Sequence, residues 1–168
     1  LFTAGLETGY PPELWNVEYP DRVTTLHASF IAAGSDIILT NSFGGTSFRL
    51  KLHQAENSVK ALNLAAARLA RQAADSADKP VLVAGSMGPT GELFQPLGAL
   101  TADAAEQAFA EQAFALAEGG ADLLWIETMS SEEEMECAII ATKKAGLPIV
   151  CTYSFDTHGK SMMGLEPK

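Results

Sequence analysis

An α/β architecture of repeated strand–helix units is predicted by three features of the sequence: short, almost continuous apolar runs, longer amphipathic segments between them, and turn residues at the junctions. The strand candidates are Asp36–Thr40, Val81–Ala84, Asp122–Glu127 and Ile149–Tyr153. Their interiors do not alternate between apolar and polar residues. That is the pattern of strands covered on both faces rather than of a one-sided antiparallel sheet.

The segments between them read as helices with recognisable ends. Pro20 to Ala33 sets Val23, Leu26, Phe30 and Ile31 on one face, and Gly34 supplies the left-handed position that stops it. Glu56 to Ala77 carries Val59, Leu62, Ala66 and Leu69 in helical register. Thr101 to Glu118 opens on a threonine N-cap, has Asp103 where the helix dipole favours an acid, and closes at Gly119-Gly120. Ser131 to Glu134 is a capping box ahead of Met135, Ala138, Ile139 and Thr142, with Gly146 and Pro148 past the end. Such βα repetition fits an open doubly wound sheet or a (β/α)8 barrel, and periodicity does not separate them. A barrel takes about 250 residues, so 168 residues with four strands amount to half of one, in a single domain.

Composition narrows the function classes. Hydrophobic residues make up 47% and charged ones 19%, enough to bury a core and too little charge for a disordered chain. Eleven Lys and Arg against 21 Asp and Glu give a net charge of −10, the wrong sign for a phosphate backbone or an anionic membrane. Neither nucleic acid nor a membrane is an expected partner. No stretch has the apolar length of a membrane span or the layout of a signal peptide. The two cysteines, Cys137 and Cys151, form no CxxC pair, so neither a disulfide framework nor a zinc knuckle is written here, and a cytoplasmic setting is expected. The chain opens on Leu1 rather than Met, which suggests that it begins within a longer product.

In either α/β architecture the functional loops follow the carboxyl ends of the strands. Those positions hold Thr40–Thr46, Gly85–Gly91, Glu127–Ser130 and Ser154–Gly159. Glu127 stands out, because a carboxylate that closes an apolar run sits where desolvation makes an unpaired charge costly. It calls for a partner: a neighbouring backbone N–H or Lys, or an ammonium group on a ligand. Asn41 offers a donor and an acceptor that could orient a carboxylate, and is equally an ordinary turn residue. The Gly85–Gly91 loop lets backbone amides approach a ligand closely, but has neither P-loop nor dinucleotide spacing. Gly44-Gly45 permits a tight turn. His27, His53 and His158 show no ligand spacing, and His27 reads as structural. Cys137, within a helix, and Cys151, within a strand, read as inert buried thiols. Glu132-Glu133-Glu134 reads as a solvated helix N-terminus.

Together these motifs resemble the homocysteine S-methyltransferases, which include betaine–homocysteine methyltransferase and the homocysteine-binding module of cobalamin-dependent methionine synthase. The stretches that carry the likeness are Pro12–Asn16, Ala33–Thr46, Ala84–Gly91 and Glu118–Met129, in family order and spacing. The resemblance implies a (β/α)8 TIM barrel of which this chain covers roughly strands two to five, so that 1–168 is a homocysteine-binding domain incomplete at both ends. It also implies zinc, which makes a thiolate of homocysteine; that thiolate attacks an activated methyl group and gives methionine. Glu127 matches the glutamate that holds the substrate ammonium, and Asn41 a rim position near the substrate; Thr128, Gly85 and Ser86 complete the expected substrate-binding set.

The family's Asp-Gly-x-x-Gly-Thr stretch would precede Leu1. Its zinc cysteines lie on the sixth and eighth strands, so neither Cys137 nor Cys151 matches them and the ligands are expected outside this chain. Gly44 stands where betaine-specific animal enzymes tend to have tyrosine. Betaine, methylcobalamin or methylfolate, and S-methylmethionine all remain open as methyl donors. The alternatives are a catalytically inactive half-barrel that binds or assembles, completed by another chain or by self-association as a homo-oligomer, and an unrelated barrel lyase. A lyase is disfavoured because no strand end carries a Schiff-base lysine.

Overall fold

A computed structural model describes residues 1–167. Four strands, β1 (Ile37–Leu39), β2 (Leu82–Met87), β3 (Leu123–Met129) and β4 (Ile149–Tyr153), form one parallel sheet in the order β1-β2-β3-β4. The helices are α1 (Trp15–Glu18), α2 (Pro20–Ala32), α3 (Ser47–Lys51), α4 (Val59–Asp75), α5 (Ala102–Glu118) and α6 (Glu132–Lys143). Each strand therefore leads through a loop and a helix to its parallel neighbour, the α/β repeat predicted above. Among the described residues no helix is long and apolar enough to cross a membrane.

The predicted N-caps form, although the capping box is half made, since the Glu134 carboxylate accepts from Thr90 rather than from the Ser131 N–H. Thr101 Oγ1 accepts the Ala104 N–H at 3.3 Å, and Ser131 Oγ accepts the Glu134 N–H at the same distance. Gly34 takes φ +108° after α2. Two short helices, α1 and α3, were not foreseen, because four or five residues are too few to show a period. Strands β2 and β3 also run further than the apolar runs predict. Ser86 and Met87 pair in register with Trp125 and Ile126, so the ladder and not hydropathy sets their ends.

The core lies between the sheet and its helices. Ile38, Val83, Met87, Leu124, Ile126 and Met129 are at most 3% exposed and share one cluster with Phe109 and Leu116 of α5 and with Ala67 and Ala70 of α4. Truncating fully buried Phe109 to alanine would cost about 3 to 5 kcal/mol. Buried alanines along α4 and α5 let the helices approach closely, and a Cβ on Gly119 would lie 2.6 Å from that of Ala67.

The alternate strand residues point to the opposite face. There Ile37, Leu39 and Leu82 are exposed while Ala84, Ser86 and Leu123 are buried, so among the described residues the covering expected on both faces is only partial on this one. The continuous apolar runs record strands whose second face also carries apolar residues.

Candidate functional site at the carboxyl ends of the strands

A chain of hydroxyl groups ties the ends of β1, β2 and β3 together. Thr40 Oγ1 lies 2.6 Å from Ser42 Oγ, Ser42 Oγ donates to the Ser86 carbonyl at 2.8 Å, and the Ser86 N–H donates to Thr40 Oγ1 at 2.9 Å. Because the single Ser42 proton is spent on the Ser86 carbonyl, Thr40 is the donor to Ser42. All three residues are buried, at most 4% exposed, so these bonds are protected from water. Ser86 then donates its own hydroxyl to Glu127 Oε1 at 2.6 Å.

Glu127 is half-buried at the end of β3. It pairs with neither a backbone N–H nor a lysine among the described residues; its partner is the Ser86 hydroxyl, and Oε2 takes no hydrogen bond from them. A carboxylate with one oxygen fixed and one free can accept from a cationic donor without first breaking an ion pair.

The next residue, Thr128, has φ +64° and lies where the β3–β4 register shifts between Ile126 and Met129. A β-branched residue in the left-handed region is strained. The shift places one extra residue in β3, and the Thr128 N–H turns to Thr152 Oγ1 at 3.4 Å.

Asn41 serves the N-terminal segment. Its Nδ2 donates to the Pro12 carbonyl at 2.7 Å and to Asn16 Oδ1 at 3.1 Å, while Asn16 Nδ2 donates to the Asn41 carbonyl at 2.8 Å. Gly85 lies within β2 rather than in a loop, and a Cβ there would meet Leu124 and Leu116 at 3.0 to 3.2 Å, so its small size serves the packing of α5.

Two other expectations are corrected. Glu134 is not solvated: it is 4% exposed, and Oε1 accepts the Thr90 N–H at 2.8 Å and the Thr90 hydroxyl at 2.6 Å, which pins the loop after β2 to the start of α6. Cys151 is exposed and not buried, on β4 at the edge of the sheet, whereas Cys137 is buried as expected. His27 is buried without a partner for Nε2, and desolvation lowers its pKa to about 4, consistent with a structural role.

The sequence reading missed the residues that hold the rim in place. Gln112 of α5 donates to the Ser42 carbonyl at 2.7 Å and to Asn63 Oδ1 at 3.1 Å, and Asn63 of α4 donates to the Gly45 carbonyl at 2.8 Å. The one signal available was an amide inside each apolar stripe. Glu13, 5% exposed, accepts the Gly44 N–H at 2.6 Å.

No three His, Cys, Asp or Glu side chains converge as metal ligands among the described residues, so these residues do not supply a zinc donor set.

The sheet order defines a βα-repeat protein, and its polar rim and free carboxylate lie at the carboxyl ends of the strands. The chain belongs to the homocysteine S-methyltransferase family, whose model matches residues 5–168. It is 28% identical over 163 residues to methionine synthase from Mycobacterium tuberculosis (strain ATCC 25618 / H37Rv), a match that covers 92% of this chain and 14% of the relative. The likeness to methionine synthase from Mycobacterium leprae (strain TN) is 28% over 163 residues, covering 92% of this chain and 13% of the relative. Among solved structures, the metallated form of the homocysteine methyltransferase MmuM from Escherichia coli superposes with a TM-score of 0.79 at 23% identity, over 98% of this chain and 63% of that one. The oxidized form gives 0.78 at 23% identity, over 97% and 61%. These structural matches bear on the fold, which is that of homocysteine methyltransferase TIM barrels. The chain spans about a seventh of the curated relatives it matches and less than two thirds of the structural ones.

Proposed function

We propose that this chain is the homocysteine-holding part of a homocysteine S-methyltransferase that makes methionine. The observation that carries the reading is Glu127: a rim carboxylate oriented by the buried Ser86 hydroxyl, with its second oxygen uncommitted. The substrate ammonium would donate to that oxygen, and its charge would offset the cost of holding a carboxylate away from bulk water. Asn41 Oδ1, which takes no hydrogen bond from the described residues, and the strained Thr128 border the same rim.

In the reaction the homocysteine sulfur forms a bond to the methyl carbon as the bond from that carbon to the donor breaks, with the electron pair leaving on the donor. The thiol proton must be lost first. The family resemblance implies zinc for that task; these residues hold no donor set for it, and the steps argued for this chain are binding and orientation. The donor, whether betaine, methylcobalamin or methylfolate, or S-methylmethionine, stays open. A second reading, a binding or assembly module, would cover the exposed Ile37, Leu39 and Leu82 with another chain, where the enzymatic reading covers them with the rest of the barrel.

One experiment separates the two. The full-length protein, supplied with zinc, homocysteine and each methyl donor in turn, should form methionine with at least one of them. Homocysteine left unmethylated with every donor would overturn the enzymatic reading and leave the assembly module.

A further inference from the structure

Strand β1 ends before β2 does. The last β1–β2 register pair is Leu39 with Ala84, and the Thr40 N–H donates to the Ala84 carbonyl at 2.9 Å, whereas β2 runs on to Met87. Ser86, two residues past Ala84, turns its own N–H and carbonyl to that same side, where β1 no longer supplies a backbone partner. Two side chains take the place of the missing strand. Thr40 Oγ1 accepts the Ser86 N–H at 2.9 Å, and Ser42 Oγ donates to the Ser86 carbonyl at 2.8 Å.

The pair is itself held firmly. Thr40 and Ser42 are 4% and 1% exposed, and their hydroxyl oxygens lie 2.6 Å apart. The Ser42 carbonyl accepts from Gln112 Nε2 of α5 at 2.7 Å and from the Gly45 N–H at 3.0 Å, so the pair is anchored to a core helix as well as to its own loop. Ser86 is thus fixed at both its N–H and its carbonyl, and from that fixed main chain its hydroxyl donates to Glu127 Oε1 at 2.6 Å. A shift of about 1 Å in Ser86 would carry that contact out of hydrogen-bonding range.

We propose that Thr40 and Ser42 are positioning residues for the amino group of the substrate. Buried beneath the rim, they act through Ser86, whose hydroxyl fixes Glu127 and leaves Oε2 to the ammonium. This inference rests on the reading of Glu127 as the group that holds homocysteine, and it extends that site to two uncharged residues on a different strand end.

The test is calorimetric titration of the full-length protein with homocysteine and with 4-mercaptobutyrate, which is homocysteine without its amino group. Ser86→Ala removes the last link and should weaken homocysteine binding at least about tenfold, as for one hydrogen bond to a charged group. Ser42→Ala should weaken it about three- to tenfold, no more than Ser86→Ala does, and should leave 4-mercaptobutyrate unchanged. Added to Ser86→Ala it should cost nothing further, because its route to the ammonium is then already cut; this cycle decides where 4-mercaptobutyrate binds too weakly to read. Thr40→Val keeps the shape and strips the Ser86 N–H of its acceptor, so it should show the same pattern and serves if Ser42→Ala does not fold. Hydroxyls that only stabilise the fold would weaken both ligands alike and add to Ser86→Ala. Either of those results, or homocysteine affinity unchanged in Ser42→Ala and Thr40→Val, would overturn the proposal. Glu127→Gln tells two failures apart: weaker homocysteine binding there, with none in the Ser42 and Thr40 variants, defeats this inference alone, and unchanged binding there defeats the reading of Glu127 with it.

Discussion

Gly45→Ala should be the most damaging single methyl group on this rim. Gly45 is not among the glycines with positive φ, so alanine meets no backbone strain and the effect is purely steric. Its Cβ would collide with Asn63 Oδ1 and lie 2.7 Å from Gln112 Nε2 and 2.9 Å from Asn63 Nδ2. Both amides are fully buried, so displaced groups find no water. If each amide gives up one of its bonds to the loop, at about 1 to 3 kcal/mol per buried group left unpaired, the loss is about 2 to 6 kcal/mol. Hydrogen exchange of the α4 and α5 backbone amides in the full-length protein reads it as a fall in opening free energy. Asn63→Ala removes two of the three close contacts and leaves the one at 2.7 Å to Gln112 Nε2, so adding Gly45→Ala to it should cost about half of what it costs alone. A loss below about 0.5 kcal/mol for Gly45→Ala alone, or full additivity in the double variant, would refute the claim that the two amides clamp this loop.

Three further outcomes follow from the same structure. Thr128→Gly should raise the thermal midpoint by the equivalent of about 1 kcal/mol, because relief of left-handed strain exceeds the extra chain entropy of glycine; a lowered midpoint would show that the Thr128 side chain stabilises the bulge. Glu134→Ala should destabilise the domain by about 1 to 3 kcal/mol, since it strips the buried Thr90 N–H and hydroxyl of their acceptor, while Glu134→Gln, which keeps an acceptor, should cost less in the same denaturation measurement. For His27 the folded pKa of about 4 lies below the unfolded value near 6.5, so the unfolded chain takes up the proton first as pH falls. Its contribution is whole above pH ~6.5 and is lost as pH drops toward ~4, by about 1.4 kcal/mol per unit; His27→Leu should flatten that part of the stability profile, and an unchanged slope would rule this histidine out as its source.

The repeat and its caps were readable because they rest on local chemistry: Thr101 and Ser131 cap the helices they precede, and Gly34 ends α2. The place of Glu127 at the end of β3 was readable because it closes an apolar run. Its partner was not, since Ser86 reaches Glu127 only through the β2–β3 register, a property of strands 41 residues apart in sequence. Glu134 illustrates the opposite failure. A run of acids at a helix start looks solvated, and only the loop that brings Thr90 over α6 buries one of them. Asn63 and Gln112 were hidden for a related reason: each interrupts an apolar stripe by a single residue, and nothing local says that both face the same loop. The bulge at Thr128 has no local signature either, because a β-branched residue within an apolar run reads as regular strand.

The central claim is that Glu127 holds the ammonium of homocysteine, and the most direct measurement is the affinity of full-length wild-type and Glu127→Gln protein for homocysteine by calorimetry. Removal of one charge-assisted contact worth about 1.5 to 3 kcal/mol predicts roughly ten- to hundredfold weaker binding. Equal affinity in the two proteins would contradict the claim and return Glu127 to a structural role at the end of its strand.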